Sequence, residues 1–313
     1  MSAIALALLI LAAPAQPLSF GASVESVYVD VSVSRRGEPV LGLTARDFEL
    51  KDNGERQTIE LATTDPMPPT TLLVLDVSGS VAGETLDRLR QGAESVTRAL
   101  HPGDGLGLIT FNETVALRAA PSSDRTAFRG ALLSIQAGGA TSLYDALYAG
   151  AVLSSQRGHS LLVLFTDGED NASWLSIRDV ERALGASNVL VQVVGVTPAE
   201  TIVAAGNLRL GPWSTRPQGS GSRSPAARRV AELTSLAEAT GGRFWQASST
   251  RELSSAFESM LAALRTRYVL RFDPASQRRP GLHKLTVKLR GRRGEVHCRK
   301  SYFVPPEAMP GDD

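Results

Sequence analysis

The sequence predicts an α/β domain built on a largely parallel sheet, joined to a smaller all-β unit drawn from both ends of the chain. Three observations carry this. Residues 71–76 run through Leu72, Leu73, Val74 and Leu75 and stop at a carboxylate, Asp76. A continuous apolar run of that length, bounded by Gly and Ser, is what a central strand covered on both faces looks like. From residue 71 to about 264, strands of this kind alternate with helical periodicities. Outside those limits apolar and polar residues alternate, as in half-buried strands.

Composition narrows the class. The 313 residues are 42% hydrophobic, enough for a packed core. The net charge is +1, which gives no electrostatic reason to expect nucleic acid or an anionic membrane as partner. The single cysteine, Cys298, can form neither an intrachain disulfide nor a thiolate metal site, and it reads as a small buried residue. His101, His159, His283 and His297 show no metal-ligand spacing. Residues 3–13 are almost purely Ala, Leu and Ile, and Ala13-Pro14-Ala15 before Gln16 has the form of a cleavage site. Residues 1–15 therefore read as a signal peptide, although Lys and Arg are missing before Arg35. No Cys follows to carry a lipid, and no other segment has the length and apolarity of a membrane span. A secreted or periplasmic location is expected.

In chain order, residues 24–33 place Val27, Val29, Val31 and Val33 on one face of a strand. Residues 36–39 turn, 48–50 are a short strand, and Asp52-Asn53-Gly54 is a tight turn, because Asn-Gly tolerates the positive φ values required. Residues 57–61 return, and 65–69 break regular structure as a linker. After the strand ending at Asp76, Leu86, Leu89, Ala93, Val96 and Leu100 recur at helical spacing over 84–100. Residues 106–111 are the next strand, with 115–118 hairpinned to it, and 127–135 are helical. Gly138-Gly139-Ala140-Thr141 turns into a helix, with Thr141 as expected N-cap and Asp145 in the first turn. Residues 161–165 form a second apolar strand ahead of Asp167, 177–184 a helix, and 189–196 a third apolar strand.

The stretch 206–224, rich in Gly, Ser, Pro and Arg, reads as a long loop on the same rim as Asp76 and Asp167. Helix 226–239, strand 243–245 and a last helix carrying Leu253, Phe257, Met260, Leu261 and Leu264 complete the α/β domain. Strands over 268–272, 285–289 and 296–304 follow, with a basic turn at 290–294. They and the N-terminal strands each lack partners, so the two groups are expected to form one discontinuous β-sandwich. The expected division is 1–15 signal peptide, 16–66 and 266–305 the two parts of the sandwich, 67–265 the α/β domain and 306–313 a tail.

Three segments point at one site: Asp76-Val77-Ser78-Gly79-Ser80, Gly138-Gly139-Ala140-Thr141 and Phe165-Thr166-Asp167-Gly168. Sites in open parallel sheets form at the carboxyl ends of strands. Two carboxylates and three hydroxyls are hard oxygen donors, suited to Mg²⁺ or Mn²⁺ rather than Zn²⁺. Mg²⁺ seldom sits in an all-protein cage, so an open position is expected, which an external carboxylate can fill. Glu169 and Asp170 are expected to add rim charge. Trp174 and Trp213, aromatic and near the rim, are candidate partner contacts.

These segments, in this order, resemble the von Willebrand factor A domain family: LLVLDVSGS resembles its D-x-S-x-S motif, GGATSLYDAL its threonine loop and LLVLFTDGED its second aspartate. With the last helix, the resemblance covers about two-thirds of the chain. It implies a doubly wound, Rossmann-like sheet with helices on both faces, and a metal-ion-dependent adhesion site. By position, Ser78, Ser80 and Thr141 would bind the cation directly or through water, and Asp76 and Asp167 would supply charge. The family's commonest activity is protein binding, with a partner's Asp or Glu completing the coordination. The layout is also similar to a bacterial secreted subgroup, with Asp47-Phe48-Glu49-Leu50 before the domain and 264–270 after it. Val81-Ala82-Gly83 lacks the paired acids of the adjacent second metal site in integrin β chains, so that site is not expected.

Two other classes compete with a binding protein. One is a structural or assembly module whose metal only stabilises the fold. The other is a metal-dependent phosphohydrolase, but Ser78 stands where such enzymes need a second acid, and G-x-x-x-x-G-K-[ST], G-x-S-x-G and H-E-x-x-H are missing. The expectation is a non-enzymatic protein that captures an acidic residue of a partner protein.

Overall fold

The computed structural model describes residues 26–304 except 37, 65–69, 156–159, 188, 196–224, 247–249 and 275–278. The expected signal peptide, the linker at 65–69, the 206–224 loop with Trp213, and the tail lie outside the described residues.

The N-terminal part holds β1 (Val27–Arg35), β2 (Glu38–Pro39), β3 (Phe48–Asp52), β4 (Glu55–Gln57) and β5 (Ile59–Thr64). The Asn53-Gly54 turn joins β3 to β4 with φ of 48° and 93°, the left-handed pair that a two-residue hairpin needs. The middle of the chain runs β6 (Thr70–Asp76), α1 (Glu84–Ala99), β7 (Gly105–Phe111), β8 (Val115–Ser122), α2 (Thr126–Ser134), α3 (Leu143–Ser155), β9 (Ser160–Thr166), α4 (Ile177–Ala186), β10 (Val189–Gly195), α5 (Pro225–Ala239), β11 (Phe244–Gln246) and α6 (Thr250–Arg265). β12 (Tyr268–Phe272), β13 (Gly281–Leu289), β14 (Glu295–Cys298) and β15 (Ser301–Val304) follow.

The middle segment builds one sheet in the order β11-β10-β9-β6-β7-β8, parallel except for the antiparallel edge strand β8. Side chains alternate across each strand, so the apolar run of β6 feeds two cores. Leu73 and Leu75 pack with Leu89 and Val96 of α1, Phe128 of α2, and Phe257 and Leu261 of α6. Leu72 and Val74 pack on the other face with Leu143 and Leu147 of α3, Val180 of α4 and Leu236 of α5. Helices cover both faces, and each fully buried leucine stabilises the fold by about 2 kcal/mol over an exposed one. Of the strands in this sheet β6 comes first in the chain, with β7 on one side and β9 on the other. The chain therefore reverses direction across the sheet between β6 and β9, where an open parallel sheet forms a crevice.

The two ends of the chain pair with each other. β1 lies between β12 and β14, and β5 extends that sheet beyond β12, while β3 pairs β13 in a second sheet ordered β15-β13-β3-β4. Val29, Val31, Phe48, Leu50, Tyr268, Leu270, Phe272, Leu285 and Tyr302, drawn from both sheets, share one apolar cluster. Two strands expected as continuous are each divided. Residues 57–61 split between β4 and β5, and 296–304 between β14 and β15, the halves lying in different sheets. The second break falls at Arg299 and Lys300. There the Arg299 guanidinium reaches the Gly185 carbonyl at 2.6 Å and the Lys300 N–H donates to the Ala239 carbonyl at 2.9 Å, so the main chain turns aside to meet the helices.

This all-β part encloses a polar centre. Asp52, fully buried at the end of β3, has His283 Nδ1 at 3.0 Å from both carboxylate oxygens and accepts the Tyr302 hydroxyl at 2.8 Å. His283 Nε2 donates to the Arg279 carbonyl at 2.7 Å. Burial and the neighbouring Asp52 push the Tyr302 phenol above its ordinary range.

Candidate metal centre

β6 delivers Asp76 to the carboxyl end of the sheet with its side chain fully buried. The chain then turns outward through Val77, whose N–H donates to the Phe111 carbonyl at 2.8 Å, leaving the next residues free of the sheet. Ser78 folds back: its N–H and hydroxyl both donate to Asp76 Oδ1, at 3.0 and 2.6 Å. The Ser80 hydroxyl lies 3.0 Å from that of Ser78, and with the Ser78 proton committed to Asp76, Ser80 is the donor. The other oxygen, Oδ2, accepts the Thr166 hydroxyl from β9 at 2.8 Å, and Thr166 in turn accepts the Gly168 N–H at 2.9 Å.

All of these donors to Asp76 are neutral. Burial is the main cause that pushes its carboxyl up to about 6; the bonds from Ser78 oppose this, and the nearby charge of Asp167 adds to it. Asp167, half-exposed just beyond β9, accepts the Glu169 N–H at 3.1 Å.

The threonine segment is laced to the first one. Gly138 N–H donates to the Val77 carbonyl at 2.8 Å and Gly79 N–H to the Gly139 carbonyl at 2.9 Å. Gly139 has φ of +84°, and a Cβ there would lie 1.5 Å from Glu113 Oε2. Thr141 is buried; its N–H donates to Asn171 Oδ1 at 2.8 Å, and its carbonyl accepts the N–H groups of Asn171 and Ala172, both at 3.0 Å. The structure thus brings Asp76, Ser78 and Ser80 into one line of oxygens, ties Thr141 to the segment after β9 and its neighbours Gly138 and Gly139 to the Asp76 segment, and sets Asp167 close enough to act on Asp76 through its charge.

Several residues have roles the sequence reading did not give them. The free N–H groups at the start of α3 are taken by Asp170, to Leu143 at 2.8 Å, and by Ser173, to Tyr144 at 3.0 Å, rather than by Thr141. Asp170 is thus a capping residue rather than only a rim charge. Glu169 does stand on the rim, 3.3 Å from Arg229. Asn112 donates to the Gly138 carbonyl at 2.9 Å and its own carbonyl accepts the Ser142 N–H at 2.8 Å, while Glu113 accepts the Ala140 N–H at 3.1 Å. Their only sequence signal is position: two polar residues directly after an apolar strand.

The donor set suits a hard divalent cation. It offers a buried carboxylate with no cationic partner among its hydrogen bonds, serine hydroxyls in reach of it and a second carboxylate beside it. Among the described residues no group of three or more His, Cys, Asp and Glu side chains is placed to hold a metal ion by itself, so a cation at this centre would depend on the hydroxyl oxygens as well as the carboxylates.

Residues 71–169 match the family model described as the von Willebrand factor type A domain. This stretch is a von Willebrand factor type A domain. A human protein, calcium-activated chloride channel regulator 4, is 29% identical over 157 residues, which make up 44% of this chain and 17% of that protein. The chain thus spans less than a fifth of that relative. Among solved structures, a von Willebrand factor type A protein from Catenulispora acidiphila aligns with a TM-score of 0.48 and 14% identity, over 83% of this chain and 73% of that one. The conserved hypothetical protein BatB from Bacteroides thetaiotaomicron aligns with a TM-score of 0.47 and 16% identity, over 63% and 98%. The PilB minor pilin from Streptococcus sanguinis aligns with a TM-score of 0.43 and 11% identity, over 78% and 90%. Among the described residues no helix is long and apolar enough to cross a membrane.

Proposed function

We propose that this protein binds a partner protein outside the cytoplasm by capturing an acidic side chain at a divalent cation held in the A-type domain. Asp76, Ser78, Ser80, Thr141 and Asp167 would hold Mg²⁺ or Mn²⁺. The bound ion supplies an open coordination position that an external Asp or Glu carboxylate completes. The observation that carries this reading is the line of oxygens from the buried Asp76 through Ser78 to Ser80, at 2.6 and 3.0 Å, in the crevice between β6 and β9. A buried carboxylate held by neutral donors is costly to ionise, and a cation offsets that cost. In this reading the site is for binding rather than catalysis, and the paired chain ends form a discontinuous β-sandwich that carries the domain.

Calorimetric titration of the protein with MgCl₂ and MnCl₂, beside the Asp76→Ala and Asp167→Ala variants, tests the site. Saturable binding by the wild-type protein that both variants lose is the expected result. Binding retained in both variants would remove the assignment. Cation binding that stabilises the protein but leaves it unable to bind any carboxylate-bearing peptide would favour a cation serving only to stabilise the fold.

A further inference from the structure

The geometry points to Trp174 as the specificity-determining contact beside the metal centre, selecting partner segments in which the captured acid lies one to three residues from an apolar side chain. The inference rests on the carboxylate-capturing reading of that centre and adds the class of sequence it takes.

Trp174 is 95% exposed, the most exposed of the large apolar side chains among the described residues. It is nevertheless built on a pinned backbone. Asp145, in the first turn of α3, accepts the N–H groups of Trp174 and Leu175, at 3.0 and 2.9 Å, one on each carboxylate oxygen. Ser173 bonds the start of α3, Asp170 accepts the Ser173 hydroxyl at 2.5 Å, and Ser176 with Asp179 closes a capping box at the start of α4. The polar groups of this loop turn inward and the indole turns out. A large rigid aromatic held in water on a fixed main chain loses little conformational freedom when a partner covers it. Of the other two tryptophans, Trp245 is partly buried and donates to Gln192 at 2.7 Å, and Trp213 lies outside the described residues.

Its place relative to the centre follows from the same bonds. The loop is tied to Thr141 through Asn171 and Ala172 and to Asp145 through Trp174 and Leu175. Thr141 lies two residues ahead of α3, and Ala172, which bonds the Thr141 carbonyl, precedes Trp174 by two residues, at most about 7 Å of chain. An extended segment advances about 3.3 Å per residue, so a residue one to three positions from the captured acid passes over the indole. Beyond Trp174 the apolar surface continues: Leu175, with Tyr148 and Val152 at 39% and 41% exposure, lines a cavity of about 390 Å³ between α3 and α4. Charge narrows the partner further. Glu113 stands beside the Ala140 N–H and disfavours a run of acids, while the charge of Glu169 is offset by Arg229 at 3.3 Å, so a single acid flanked by apolar residues fits best.

The test is selection of a displayed library of random dodecapeptides on the full chain in MgCl₂, with elution by EDTA, repeated on Trp174→Ala and Asp76→Ala. On the wild-type protein, EDTA-eluted peptides are expected to share one Asp or Glu with an aromatic or aliphatic residue one to three positions away. On Trp174→Ala the acid persists and the apolar preference disappears. A wild-type peptide then binds that variant about tenfold more weakly. On Asp76→Ala the EDTA-eluted pool vanishes. An apolar preference absent from the wild-type pool, or kept by Trp174→Ala, overturns the inference while leaving the metal centre standing. Peptides without an acid in the wild-type pool overturn the reading of the centre, and this inference with it.

Discussion

Asp52 and Asp76 are both fully buried carboxylates at the ends of strands, and they are built in opposite ways. Asp52 is closed: an imidazole lies against both oxygens, a phenol donates to one of them, and the imidazole's far nitrogen is fixed on the Arg279 carbonyl. Asp76 is open: its partners are one main-chain N–H and the hydroxyls of Ser78 and Thr166, with Ser80 next in line toward solvent. Hydroxyls can turn from a carboxylate to a cation without leaving the site, because their oxygens accept as well as donate. The difference teaches that a buried acid locks a fold when its donors have nowhere else to go, and stays available for binding when they do.

Breaking each acid in turn gives the largest contrast. Asp52→Ala should destabilise the protein by about 3–5 kcal/mol, since it strands a buried imidazole and phenol. Asp76→Asn in metal-free buffer at neutral pH should not destabilise the protein and should stabilise it by on the order of 2 kcal/mol, because it removes a charge that burial disfavours. Urea unfolding of both variants in EDTA measures this, and an equal loss would erase the distinction.

The pH dependence sharpens it. The folded-state pKa of Asp76, about 6, lies above its ordinary 3.8. The folded state therefore binds the proton more tightly, and this group's stabilising contribution is complete below about 4 and lost as pH rises through about 6. His297 runs the other way. Burial, followed by the charge of Arg243, lowers it from 6.5 to about 4, so its contribution is present above 6.5 and lost as pH falls through 4. The two oppose each other between about 4 and 6. Asp76→Asn should therefore lose stability more steeply on acidification than the wild-type protein, by on the order of 2 kcal/mol over that interval in EDTA. Mg²⁺ affinity should weaken by up to about tenfold per pH unit below 6, since the proton and the cation compete for one carboxylate.

Tyr302→Phe removes one donor from Asp52 and should cost about 1–2 kcal/mol, read by the same unfolding assay. The smallest effect is expected from Gly139→Ala. The new methyl displaces the flexible Glu113 side chain from its bond to the Ala140 N–H, and the +84° φ adds strain. Together these should cost about 1 kcal/mol in stability, with a measurable weakening of Mg²⁺ binding by calorimetry.

Much of this was legible in the residues themselves. An apolar run that stops at Asp76 and is bounded by Gly and Ser reads as a strand covered on both faces, since hydrophobic burial is a property of the run itself. The same local logic placed the other parallel strands, the amphipathic helices and the Asn53-Gly54 turn. The D-x-S-x-S spacing also located three of the candidate ligands, because residues two apart in a turn reach a common point. What the local pattern could not supply was partnership across long sequence separations. Nothing near Asp52 indicates that His283 and Tyr302 will enclose it, since they lie 231 and 250 positions further along the chain. Nor does the alternation in residues 296–304 reveal a break at Arg299, which is made by carbonyls on distant helices. Asp170 and Asp145 read as ordinary loop and helix acids until folding brings α3 beside the loop after β9, where one caps the helix and the other holds Trp174 out in water. Hydrophobic periodicity is written in neighbouring residues, whereas hydrogen-bond partners for buried polar groups are chosen only when the chain closes on itself.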